Sequence, residues 1–78
     1  MKTTKYFRAT RGRPDRARIK DEWIQYVVQH PERQHVQADG RIRRWARIEA
    51  VEGRYLRVIL LDDGETIHNA FFDRGFRP

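Results

Sequence analysis

The sequence predicts an α+β domain: one main helix packed on one face of an antiparallel β-sheet of about four strands. Apolar residues recur at helical spacing from Asp15 to His30. From Gln34 to Phe72 the period becomes two, punctuated by the turn dipeptides Asp39-Gly40, Glu52-Gly53 and Asp63-Gly64. Size sets the bound. Seventy-eight residues with no cysteine make a single small domain without disulfides, and 38% hydrophobic residues against 36% charged leave limited material for its core.

Residues 1–14 read as a basic N-terminal segment in which Tyr6 and Phe7 begin a short edge strand, followed by a loose loop around Gly12. Residues 15–78 form the domain proper. Pro14-Asp15 starts the helix, whose buried stripe is expected to hold Ile19, Trp23, Tyr26, Val27 and His30, widened by Ile24 and Val28. Pro31 ends it by supplying no amide hydrogen and restricting His30. Gln34–Ala38 is a weak strand. In Arg41–Ile48, Ile42, Arg44, Ala46 and Ile48 share one side, and Arg41, Arg43, Trp45 and Arg47 the other. Tyr55–Leu61 and Thr66–Phe72 complete a meander whose inner face the helix covers and whose outer face stays open.

Strand register decides which side chains share that outer face. A two-residue turn at Asp63-Gly64 pairs Leu60 with Ile67, Val58 with Asn69 and Leu56 with Phe71 on the inner side. Ile59 with His68, Arg57 with Ala70 and Tyr55 with Phe72 then face outward. A three-residue loop through Asp62 slips the pairing by one and sends His68 to the Val58 side. The two-residue turn is preferred because it leaves the inner face more apolar.

Seventeen Lys and Arg against eleven Asp and Glu give a formal charge of +6, and fourteen of the seventeen are Arg. Arginine grips phosphate with a planar fork and stacks on bases, so the composition points to a nucleic-acid partner. Arg41, Arg43, Arg44 and Arg47 make a phosphate-tracking ribbon with Trp45 as a stacking platform, unless Trp45 is a core residue flanked by exposed arginines. Arg74 in the tail joins this set. Tyr55, Arg57 and His68 are the catalytic candidates for metal-free RNA cleavage: His68 exchanges a proton near neutral pH, Arg57 holds the phosphate, and Tyr55 stacks on a base or assists proton transfer. His30 and His35 straddle Pro31 and His68 is remote, so no metal site is expected. No cofactor fingerprint occurs, and no cofactor is expected. No apolar run approaches the roughly 20 residues of a membrane span, so the expected setting is cytoplasmic.

The segments "VVQHPE", "DGRIRRWARI", "GRYLRVILL" and "DGETIHNAFFDR", spread between Ile19 and Asp73, resemble the RelE/ParE-like toxin superfamily, most closely a small uncharacterised family near BrnT. The resemblance implies a toxin-like, RNA-binding, metal-independent endoribonuclease restrained by a cognate antitoxin. It also implies that Arg57 is similar to the phosphate-binding arginine of RNA-cleaving members, and His68 to their C-terminal acid/base residue. Two departures stand out. One helix precedes the sheet where ribosome-dependent toxins have two, and Arg11 and Arg13 occupy the region where many closer relatives carry a histidine. A non-catalytic nucleic-acid-binding module and a protein-partner-binding domain are the competing readings.

Overall fold

Two separate helix starts are written into the stretch expected to form one helix. Pro14 occupies the first position of one, and the acidic pair Asp21-Glu22 favours the positive end of the other. The computed structural model, which describes residues 1–78, accordingly has α1 (Lys5–Thr10), α2 (Pro14–Ala17) and α3 (Asp21–Gln29) ahead of the sheet. Ile19 lies at the corner between α2 and α3 and is fully buried, so the break drives an apolar side chain into the core. Beyond it α3 buries Ile24 and Val27, with Trp23 and Val28 at the rim. Tyr26 is 48% exposed and His30 is also exposed, which narrows the expected stripe.

The N-terminal expectation is corrected. Tyr6 and Phe7 are helical, because the Thr4 hydroxyl caps α1 by accepting the Phe7 amide at 3.0 Å, and Phe7 and Thr10 turn one face inward. Strand-like pairing occurs just before the helix. Thr3 bridges Ile67 in parallel, with Thr4 N donating to Ile67 O at 3.1 Å and Ile67 N to Lys2 O at 2.9 Å.

The sheet comprises β1 (Arg33–Val36), β2 (Ile42–Ile48), β3 (Arg54–Leu60) and β4 (Ile67–Phe72) in antiparallel order β1-β2-β3-β4, with a 3₁₀ turn at Glu49–Val51 between β2 and β3. This is the expected α+β architecture. Asp63 ties the last hairpin by accepting the amides of Glu65 and Thr66 at 2.9 Å each. Bonds from Thr66, its hydroxyl above all, hold the Asp63 carboxyl down at about 2.

The hairpin opens in the tight-turn register and then leaves it, in the direction opposite to the slip that a loop through Asp62 would cause. Leu60 pairs with Ile67 as the tight turn requires, then a bulge at His68 shifts the ladder, so that Ile59 faces Asn69, Val58 faces Ala70, Arg57 faces Phe71 and Leu56 faces Phe72. One extra residue thus keeps both Ile67 and Ala70 on the buried side. Phe72 points inward and Phe71 and Asn69 outward, the reverse of the unbulged reading.

The core joins Phe7, Ile19, Ile24 and Val27 of the helical layer to the inner sheet row of Ala46, Ile48, Leu56, Val58, Leu60, Ile67 and Ala70. Edge strand β4 is covered in part by Lys2–Thr4 and by Arg16, which donates to the Asn69 side chain and, at 3.4 Å, to Ala70 O. No helix is long and apolar enough to cross a membrane.

Candidate nucleic-acid interface

Alternation on the strands brings Arg33, Trp45, Arg57 and Phe71 into one row across the outer face, and His35, Arg43, Ile59 and Asn69 into the next. The first row is closed by stacking. Phe76 of the tail stacks on Trp45 at 4.9 Å, the Arg57 guanidinium lies 5.3 Å from the Trp45 ring and 5.1 Å from Phe71, and Arg16 covers Phe71 at 5.1 Å. Two stacked rings, a guanidinium, a third ring and a second guanidinium thus run from the tail to α2.

Asp73 fastens this ladder. Its Oδ2 accepts Trp45 Nε1 at 2.9 Å, Arg57 Nε at 3.0 Å and Arg57 Nη2 at 2.9 Å, while Oδ1 accepts the Gly75 amide at 3.0 Å. Burial alone raises its carboxyl, but the Trp45 bond, the Arg57 charge and the remaining bonds outweigh it and leave the group below the usual carboxylate range. The outer face is therefore not open along its whole length. Trp45 is 6% exposed, and the tail occupies the surface on which a base would stack.

His68 sits apart from this assembly. Its Nδ1 lies 3.1 Å from Thr4 Oγ1 and its ring stacks on Tyr6 at 4.8 Å. Desolvation first, then the positive charge of Arg41, lowers its pKa, so the ring is neutral at pH 7. Arg57 faces Phe71, three residues farther along β4, or about 10 Å at strand rise. Tyr55 is on the other flank of Arg57, against Phe76 at 4.9 Å and with its hydroxyl 3.4 Å from Glu32 Oε1. The trio expected together is thus divided: Tyr55 and Arg57 belong to the tail-covered half, and His68 to the α1 side.

The arginine ribbon divides as well. Arg44 lies on the inner side, where Nη1 donates to the Val28 carbonyl at 2.9 Å and Nε to Gln34 Oε1 at 2.7 Å, so it secures the last turn of α3. Arg47 pairs with Glu49 at 3.0 Å, and its guanidinium passes so close to Gly53 that a Cβ there would lie 2.7 Å from Nε. With φ of +70°, Gly53 is also in the region that favours glycine. Arg41 reaches Asp39 at 3.9 Å. Arg43 donates only to the neutral Gln37 side chain, at 2.8 Å, and keeps its charge uncompensated. Arg74 is exposed in the tail.

Beside the ladder a groove of about 580 Å³ is bordered by Arg33, His35, Arg57 and Arg77, with Trp45 and Phe76 in its floor. Arg33 stands over Phe76 at 5.8 Å and makes no ion pair, nor does Arg77. Sequence reasoning missed Arg33, His35, Asp73, Phe76 and Arg77. The alternation Arg33-x-His35 was a signal for the first two, whereas nothing local marks Asp73 and Phe76 as a clasp. No protein-family model, curated protein or solved structure matches this chain.

Proposed function

We propose that the protein is a non-catalytic RNA-binding module that holds a single strand across the β1–β2 half of its outer sheet face. Arg33, Arg43 and Arg77 engage phosphates, Arg41 adds positive potential, and His35 offers a ring for stacking. The observation that carries this reading is the set of arginines without acidic partners around the groove of Arg33, His35 and Arg77. Phosphate is the ligand that such planar forks engage in two places. The toxin-like endoribonuclease implied by the RelE/ParE resemblance would need Arg57 and His68 on one phosphodiester. Arg57 instead spends its fork on Asp73, and His68 is directed to Thr4 and Tyr6.

Anisotropy of a labelled single-stranded RNA, measured over a salt series, tests the proposal. The double variant Arg33→Gln/Arg43→Gln should weaken binding and flatten the salt dependence. The log–log slope for a single strand should drop by roughly 0.7 for each phosphate that is no longer neutralised. His68→Ala should leave affinity unchanged. Negligible affinity of the parent at moderate salt overturns the reading. RNA cleavage that disappears in His68→Ala replaces it with the toxin-like enzyme.

A further inference from the structure

A second basic concavity lies on the opposite flank, where the α2–α3 corner, the start of β3 and the end of β4 meet. Its cavity of about 390 Å³ is framed by Arg18, Arg54 and Arg74 over a floor of Trp23, Phe72 and Val51. Trp23 meets Phe72 edge to face at 6.3 Å, and the Arg54 guanidinium lies 4.6 Å above the Phe72 ring. None of the three arginines makes an ion pair within 4.0 Å. Asp15 is the one acid on the rim, and its carboxylate is taken by Arg16 Nε at 3.3 Å. Lys20, 5.5 Å from the Trp23 ring, lies outside the cavity and is paired with Glu22 at 4.0 Å.

Three guanidinium groups brought together by three different segments repel one another, so an anion lowers their mutual energy on entering. A partly exposed indole beside them offers a flat apolar surface. Phosphate and an aromatic base are two parts of a nucleotide, and a volume of about 390 Å³ has room for one. A smaller hollow lined by Arg54, Tyr55, Phe72, Asp73, Arg74 and Phe76 continues from this cleft toward the groove on the outer face, with which it shares Asp73 and Phe76.

We propose that this cleft binds a nucleoside monophosphate group, its phosphate held by Arg18, Arg54 and Arg74 and its base laid against Trp23. The group comes either from a free nucleotide or from the phosphorylated end of an RNA chain. Free-nucleotide binding stands without the RNA-binding function proposed for the outer face, and only the chain-end source rests on it.

The test is a titration of the ¹⁵N-labelled protein with adenosine monophosphate, followed by NMR. The indole N–H of Trp23 and the Nε–H signals of Arg18, Arg54 and Arg74 should shift, while the Trp45 indole, bonded to Asp73, stays in place. Arg18→Gln/Arg74→Gln alters two exposed side chains that make no ion pair, and should weaken binding about tenfold or more. Inorganic phosphate should bind more weakly than the nucleotide. An unshifted Trp23 signal at millimolar nucleotide, or equal affinity in parent and variant, overturns the site. Equal affinity for nucleotide and inorganic phosphate overturns the role of Trp23. Comparing 5′-phosphorylated with 5′-hydroxyl RNA then assigns the source: a preference abolished by Arg18→Gln/Arg74→Gln identifies the chain end, and no preference alongside nucleotide binding identifies the free nucleotide. Arg33→Gln/Arg43→Gln should weaken RNA and spare the mononucleotide, which separates a failure of this site from a failure of the outer face.

Discussion

The two faces of the sheet are closed by different chemistry. The inner face removes aliphatic side chains from water against α1, the α2–α3 corner and α3, and Leu56, Val58, Leu60, Ile24 and Val27 are left with no exposed surface. The outer face is closed along the row of Trp45, Arg57 and Phe71 by stacked rings and guanidinium groups, fastened by one carboxylate. A chain with little aliphatic material has made a second layer out of what it has in excess. Part of the arginine content is therefore structural: Arg16, Arg44 and Arg57 are engaged inside the fold, while Arg18, Arg33, Arg54, Arg74 and Arg77 carry charge with no acidic partner.

If the inner face dominates stability, Leu56→Ala should produce the largest loss, about 2–5 kcal/mol by chemical denaturation. A loss below that of the Asp73 variant would reverse the ranking of the two faces. Asp73→Asn should cost about 1–3 kcal/mol at pH 7, since it leaves Arg57 and the Trp45 indole short of a charged acceptor in a largely enclosed place. Its pH dependence sharpens the comparison. The Asp73 carboxyl titrates lower in the folded than in the unfolded chain, so its contribution is complete above the unfolded value near about 3.9 and disappears as pH falls through the folded value. Between pH 7 and pH 3 the urea midpoint should therefore fall less in Asp73→Asn than in the parent.

The smallest effect is expected at His68. Its pKa is also depressed, so the stability tied to its neutral ring is complete above about pH 6.5 and declines as pH falls through its folded value. NMR of the ring protons should place its midpoint below the ordinary histidine value of about 6.5. A midpoint at or above that value would remove the desolvated pocket formed with Thr4 and Tyr6.

Strand existence, the side taken by Ile42, Arg44, Ala46 and Ile48, and the stop at Pro31 were all legible in the sequence, because period and proline chemistry act locally. The break after Ala17 was not, since Ile19 suits either one long helix or a corner. Thr4 ahead of Phe7 and Thr10 was a readable cap signal that the aromatic pair at Tyr6-Phe7 obscured. The site fared worse for a physical reason. Its geometry rests on pairings remote in sequence, Asp73 with Trp45 and Arg57, Phe76 with Trp45, and Arg16 with Phe71. At Asp63-Gly64 the tight-turn register holds for Leu60 with Ile67 only, because the bulge at His68 then shifts the strand into a pairing that neither turn length implies.

That bulge gives residue 68 an unusual freedom. Every other position in β4 is bound by strict alternation, so a change of polarity there exposes an apolar group or buries a polar one. Position 68 stands outside the ladder, and its deletion would join the two pairing frames into one continuous strand without moving Ile67 or Ala70 to the wrong side. The residue is thus an insertion that the sheet can carry or discard. Its side chain is free to be selected for packing on the N-terminal helix while the hydrophobic pattern of the strand is left untouched.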